Sequence, residues 1–263
     1  MKAGIPAFSS PWFWAFPSFV AISMLLIALT GANQSLFLFL NKALYFQPET
    51  IWINVTLFGD AAMTLVLILP LINKRPDLVV RIFIAALIAT FFVLGLKELM
   101  MVPRPPAVLP RGVFHQLGNQ FSASSFPSGH TTAAFTLSSM IIYLFNNNKV
   151  RAFVLLYAAL IACSRIASGV HWPMDVLGGM FFGWFSAVIT LTLFSKYEGK
   201  NFLAQRLVTL ILLFAVIHLI FLHQEGDKEA RFLEILTPAI CFILSLKGLK
   251  SLFIDPVIAR VKK

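Results

Sequence analysis

Long apolar runs separated by short polar loops restrict this sequence more than any other feature. Such runs lie near 12–31, 51–72, 79–101, 131–147, 152–168, 174–195, 206–223 and 232–249, and each carries few charges. An α-helix rises about 1.5 Å per residue, so about 20 apolar residues cross the hydrocarbon of a bilayer. The expectation is an all-α, polytopic membrane helix bundle of about eight transmembrane helices. Composition agrees: 12% of the residues are charged, whereas a soluble domain carries about a quarter. Mean hydropathy is +0.84, so lipid is the expected solvent.

The first run, from about Pro11 to Thr30, is longer than the core of a signal peptide and reads as a retained helix. The run "LFLFLNKALYF" at 36–46 is too short to cross and reads as an interfacial or re-entrant helix, with Lys42 reaching toward water. No repeat or low-complexity linker divides the chain, which predicts a single membrane domain over 1–263. Cys163 and Cys241 sit in separate apolar runs and read as inert core thiols, and Trp12, Trp14, Trp52 and Trp172 as interfacial anchors.

A net charge of +10 in a soluble chain would point to nucleic acid. Here it points to basic cytoplasmic loops and to an anion that the protein handles, with no nucleic-acid partner. Under the eight-span topology, 14 of the 21 Lys and Arg fall on the side of the termini, which predicts cytoplasmic termini.

That topology brings three odd stretches to one membrane level. The third run ends in "KELMMVPRPP", the fourth begins with "FPSGHTT", and "CSRIASGVHWPMD" joins the fifth to the sixth. Lys97, Arg104, Ser128, His130, Arg165, His171 and Asp175 therefore meet at the opposite face from the termini. A charge placed in hydrocarbon costs about 2.5–3.5 kcal/mol, so three cations at this level need anionic partners. Glu98, Asp175 or lipid head groups would serve for any one of them. For all three beside two histidines, a bound phosphate is the better match, because guanidinium forks fit its oxygens.

In "PSGH", Pro127 and Ser128 open a helix, and Gly129 lets the backbone approach a ligand. Free N–H groups at such an end bind anions, although a plain Ser-capped helix gives the same pattern. His171 and Asp175 are four apart, with Pro173 opening the next helix. The carboxylate can then turn back to the ring N–H of His171, fix its tautomer and leave the other nitrogen as a nucleophile. The alternative is an interfacial histidine with an Asp favoured by the helix dipole. His130 is placed to protonate a leaving oxygen. Asp60, inside the second run, either supports the basic cluster from behind or pairs with a polar group such as Asn54. His218 and His223 read as packing residues, and His115 as a residue of the intervening loop.

The pattern Lys97-x6-Arg104-Pro105, Pro127-Ser128-Gly129-His130 and Ser164-Arg165-x5-His171-x3-Asp175 resembles the three-part signature of the type 2 phosphatidic acid phosphatases, a superfamily shared with the vanadium haloperoxidases. The resemblance covers roughly 36–195; the hairpin 206–249 lies beyond it and resembles no motif. It implies metal-independent phosphoryl transfer without a cofactor. His171 would attack phosphorus, Asp175 orient it, and His130 protonate the leaving group. Lys97, Arg104, Ser128, Gly129 and Arg165 would hold the phosphate oxygens. It also implies a phosphorylated membrane lipid as partner. The candidates are undecaprenyl diphosphate, favoured here, lipid A phosphate, phosphatidylglycerol phosphate and phosphatidic acid. The same intermediate would also serve a phosphotransferase, and a basic cluster alone an anionic-lipid transporter. The expected setting is a bacterial inner membrane with the site facing the periplasm or exterior.

Overall fold

The computed structural model describes residues 11–45, 48–117, 124–195, 197, 201–223 and 228–255. Lys2, Lys196, Lys200, Arg260, Lys262 and Lys263, which carry part of the orientation argument, lie outside them. The helices in chain order are α1 (Pro11–Thr30), α2 (Asn33–Leu44), α3 (Thr50–Leu57), α4 (Ala61–Val66), a 3-10 segment (Leu69–Asn73), α5 (Pro76–Met100), α6 (Pro105–Val108), α7 (Gly129–Leu144), α8 (Asn148–Ala167), α9 (Pro173–Leu193), α10 (Phe202–Ile217) and α11 (Arg231–Leu249). Short π-helical segments, His218–Leu222 and Lys250–Ile254, extend the last two.

Six helices among the described residues are long and apolar enough to cross a membrane, or seven if one bent pair counts as a span. Eight is therefore an overcount by length and apolarity, for two physical reasons. The run 51–72 is not one helix: it bends by 58° between α3 and the segment that follows. Gly59 and Asp60 make the break, and the Asp60 carboxylate caps α4 by accepting the N–H groups of Ala62 (2.8 Å) and Met63 (3.0 Å). The run 131–147 is the 16-residue α7, about 24 Å long. It is wrapped by α5, α8 and α9, so protein rather than lipid surrounds it. That is why Thr131, Thr132, Thr136, Ser138 and Ser139 can be buried along it. The threonine hydroxyls are satisfied within the helix start and along α7, and Ser138 donates across the interface to the Val154 carbonyl (2.8 Å). The outer helices show the opposite pattern, with Phe91, Phe153 and Phe214 mostly exposed, as lipid-facing residues are.

Helices α7 and α9 form the tightest pair because α9 offers glycines where the backbones meet. A Cβ at Gly179 would lie 2.8 Å from the Ser128 carbonyl oxygen, and one at Gly183 would lie 2.7 Å from that of Thr132. Their four-residue spacing is the small-xxx-small pattern of close membrane crossings. Helix α2 is as short as its sequence implies, with Phe37 and Asn41 buried on one face and Lys42 exposed. Asn41 donates to the carbonyls of Ile166 and His115 (2.9 Å each) and accepts from His115 N–H (2.8 Å), tying the end of α8 to the loop after α6. Two of the tryptophans expected at the interface are instead packed inside. Trp52 donates to the Leu44 carbonyl and Trp172 to that of Pro103, at 2.8 Å each, because a buried indole N–H requires an acceptor. Both cysteines are free thiols.

Candidate active site

The loop after α5 is set by two local rules. Met101 adopts the left-handed conformation (φ 44°), and its N–H closes α5 onto the Lys97 carbonyl (3.1 Å). Pro105 then disfavours helical geometry at Arg104, which is extended (φ −78°, ψ 159°). The loop is pinned by Ser125 N–H donating to the Val102 carbonyl (2.7 Å) and by the Trp172 bond to Pro103. Arg104, more than nine-tenths buried, is thereby aimed inward. Lys97 points its ammonium at the Ser124 carbonyl (2.7 Å), while Glu98 is exposed.

Arg165 sits in the last turn of α8, where the helix dipole favours a cation. The chain turns immediately afterwards at Gly169 (φ +73°), where a Cβ would lie 2.4 Å from the His115 carbonyl oxygen. This turn brings His171 back over the end of α8. Pro173 then starts α9, and Asp175 occupies its first turn, where its carboxylate reaches back to accept the Trp172 N–H.

The Asp175 carboxylate is the hub of the site. Its Oδ2 accepts from Ser125 Oγ (2.5 Å) and Trp172 N–H (2.8 Å), and lies 3.3 Å from His171 Nδ1. With the hydroxyl proton of Ser125 committed to Asp175, the proton on Nδ1 faces the carboxylate and Nε2 keeps its lone pair. That free nitrogen faces Arg104 Nη1 at 3.4 Å; the same guanidinium nitrogen lies 3.3 Å from the Val170 carbonyl. His171 is 2% exposed. Burial, and then the charges of Arg104, Arg165 and Lys97, hold its imidazole well below the usual histidine range. The ring is thus neutral at ordinary pH, as a nitrogen nucleophile must be.

The other half of the site is the start of α7. Ser128 occupies the N-cap position, but its side chain does not cap the helix. Its hydroxyl accepts from Thr131 Oγ1 (3.0 Å), and its N–H donates to the Asp175 carbonyl (3.0 Å). The plain Ser-capped reading is therefore set aside: the first-turn N–H groups at Gly129 and His130 keep the anion-binding capacity of a helix start. His130 lies against the break at Gly59, where a Cβ would come within 3.0 Å of the His130 Cβ.

Among the described residues, Arg165 Nε and Ser124 Oγ are buried with no hydrogen-bond partner. Arg165 spends Nη1 on the hydroxyl of Thr56. A buried guanidinium edge left open costs free energy unless an anion fills it, and phosphate oxygens match it. The structure thus brings together Lys97, Arg104, Ser128, Gly129, His130, Arg165, His171 and Asp175 as the spacing predicted. It places Asp60 at the α4 cap rather than against Asn54, whose amide donates to the Thr50 carbonyl (2.8 Å). Ser125 and Thr56 escaped the sequence reading. Ser125 stood inside the "SSFPSGH" stretch, but nothing marked which serine reaches Asp175.

Fold and site define a class: this is an integral membrane protein with several spans, and residues 78–198 match the PAP2 superfamily. Over that segment the chain is similar to PAP2 membrane phosphatases, lipid-phosphate hydrolases by class. It is 27% identical over 164 residues to a protein of Escherichia coli described as putative undecaprenyl-diphosphatase YbjG, covering 59% of this chain and 79% of that one. A shorter segment, 66 residues at 41% identity, matches undecaprenyl-diphosphatase BcrC of Bacillus subtilis, covering 25% of this chain and 33% of that one. Among solved structures, LpxE of Aquifex aeolicus superposes with a TM-score of 0.55 at 29% identity, over 61% of this chain and 94% of its own. A PAP2-type phosphatidylglycerolphosphate phosphatase from Bacillus subtilis shares the fold, with a TM-score of 0.53 at 21% identity over 70% of this chain and 98% of its own.

Proposed function

We propose that this chain hydrolyses a phosphate ester or diphosphate of a membrane lipid through a phosphohistidine on His171, with undecaprenyl diphosphate as the favoured substrate. The observation that carries the reading is the pairing of His171 Nδ1 with Asp175, which leaves Nε2 free beside Arg104 in a buried basic pocket. Nε2 forms the bond to phosphorus as the bond to the leaving oxygen breaks. Asp175 stabilises the charge developing on the ring, and His130, which takes up a proton when the phosphate anion offsets the cations around it, gives that proton to the leaving oxygen. Water then attacks the N–P bond, giving its proton back to His130, and phosphate leaves. Lys97, Arg104, Arg165 and the N–H groups of the Gly129 turn hold the equatorial oxygens, whose charge grows in the transition state.

The substrate preference is supported by the likeness to the two undecaprenyl-diphosphatases named above. The positive-inside bias supports cytoplasmic termini in a bacterial inner membrane, with the site facing the periplasm or exterior. The hairpin 206–249 is read as an addition to a phosphatase core over 36–195. The test is phosphate release by purified protein in detergent with EDTA, from undecaprenyl diphosphate, lipid A phosphate, phosphatidylglycerol phosphate and phosphatidic acid, with His171→Ala alongside. Release that survives EDTA and vanishes in the variant supports hydrolysis and ranks the lipids. No release until a second lipid or sugar is added would instead favour a phosphotransferase. Lipid transport retained in His171→Ala would favour a carrier.

A further inference from the structure

A cavity of about 270 Å³ opens beside His130 and Gly129 and runs between α4, α5 and α7. Two of its walls are helix faces of mainly small residues. On α5 they are positions 86, 89, 90 and 93; on α7 they are 129, 132, 133, 136 and 137. Both sets follow the three-and-four spacing of one helix face. From Gly129 to Leu137 the wall extends about 12 Å along α7, away from the phosphate-binding end and toward the middle of the bundle. Apart from Asp60, His130 and a few threonines, its lining is apolar. A space of this kind, lined at one end by His130 and the helix start at Gly129, suits an amphiphile whose phosphate sits at that end and whose hydrocarbon occupies the other.

The third wall, α4, is only six residues long and follows the break at Gly59 and Asp60. Packing from behind holds it. Helix α10 lies against α4 and α5, and α11 lies against the 3-10 segment that continues α4. There the Asn73 side chain inserts into α11. Its Nδ2 donates to the Leu244 carbonyl (2.5 Å), and its Oδ1 accepts Gly248 N–H (2.6 Å), one helical turn apart. Gly248 permits this approach, since a Cβ would lie 2.8 Å from the Asn73 nitrogen. Both α10 and α11 lie beyond the segment 78–198 that matches the superfamily.

We infer that this cavity holds the first stretch of the substrate's hydrocarbon chain, and that the α10–α11 pair, clamped through Asn73, fixes the α4 wall and so sets how well the chain binds. The inference rests on the proposed lipid-phosphatase function. Initial rates with undecaprenyl diphosphate and with phenyl phosphate, which lacks a chain, separate chain from head group. Ala86→Phe fills the cavity and should raise KM for the lipid about tenfold. Asn73→Ala, remote from the site, should raise it about threefold and leave phenyl phosphate turnover at the wild-type value. An unchanged lipid KM in Ala86→Phe, or an equal loss on both substrates in Asn73→Ala, would overturn the inference. Wild-type protein that cleaves phenyl phosphate but no lipid would defeat the proposed function instead. Undecaprenyl diphosphate binding to His171→Ala, with and without Ala86→Phe, then decides the cavity on its own. About tenfold weaker binding in the double variant supports it, and equal binding rejects it.

Discussion

Among the described residues are two histidine–carboxylate pairs with buried carboxylates, each with arginine nearby, and they are wired in opposite ways. In the C-terminal hairpin, Glu234 is 1% exposed and accepts from both His223 and Arg231 Nη1 (2.7 Å). Arg231 spends its other donors on the carbonyls of Leu219, Ile220 and His223 at the frayed end of α10. Charge there closes on charge, and the cluster staples two helix ends together. Around His171, Asp175 is satisfied by a serine hydroxyl and a backbone N–H, while Arg104 and Arg165 are held close without salt-bridging it. Arg165 keeps a buried nitrogen with no partner. The difference teaches what makes a buried ionic cluster a site. A closed pair stabilises the fold, whereas a pair beside a buried guanidinium nitrogen left open, as Arg165 Nε is, suits an anion that arrives later.

The sharpest test of that contrast is His171→Ala. Under the proposed function it removes the nucleophile, and phosphate release should fall by about 10⁴-fold or more while the protein still purifies folded. Asp175→Asn comes next, with a loss of about 10²–10⁴-fold in kcat, because an amide can donate to Nδ1 and favour the wrong tautomer. Residual activity close to wild type in either variant would place the two histidine pairs on the same structural footing and break the comparison.

Sequence patterning located most helices and the residues that meet at one end of the bundle, but not what surrounds each helix. Spacing alone brought Lys97, Arg104, His130, Arg165, His171 and Asp175 to one level, because each sits within a few residues of a helix end that hydropathy locates. What it could not resolve was whether an apolar run meets lipid or protein. The run containing α7 looks like a span, yet its buried threonines and serines are tolerated only because other helices surround it. The Gly59–Asp60 break was hidden for a related reason. An Asp in an apolar run signals a buried charge, and only the coordinates reveal that it ends one helix and caps the next. Ser125 was invisible because its role depends on a tertiary contact with Asp175, fifty residues away.

Ser125→Ala sharpens the comparison at smaller amplitude. It leaves Asp175 one hydrogen bond short and free to turn away from Nδ1, so the His171 ring loses its fixed orientation, with an expected loss of about tenfold in kcat. The pH profile adds a second reading. The proposed nucleophile must be neutral, and burial together with the nearby cations lowers the pKa of His171. The acidic fall in kcat/KM caused by its protonation should therefore lie below the ordinary imidazole pKa of about 6.5. Replacing Arg104 with Gln removes one of those cations and should move that limb upward, toward the ordinary value. A limb that stays in place would mean that another group controls it.

The smallest effect on turnover is expected from the other pair. Glu234→Gln takes the buried carboxylate from between His223 and Arg231, and because water reaches both cations (29% and 35% exposed) the cost should fall below the roughly 3–5 kcal/mol of a fully buried broken pair. Thermal unfolding in detergent should shift down by several degrees. Turnover of phenyl phosphate measured below the transition should stay within a factor of two of wild type, because none of the three residues faces the pocket around His171. A large loss of turnover with unchanged melting would invert the assignment, making the hairpin cluster part of the chemistry. The opposite result, stability lost and turnover kept, would separate the closed pair from the open one by function as well as by geometry.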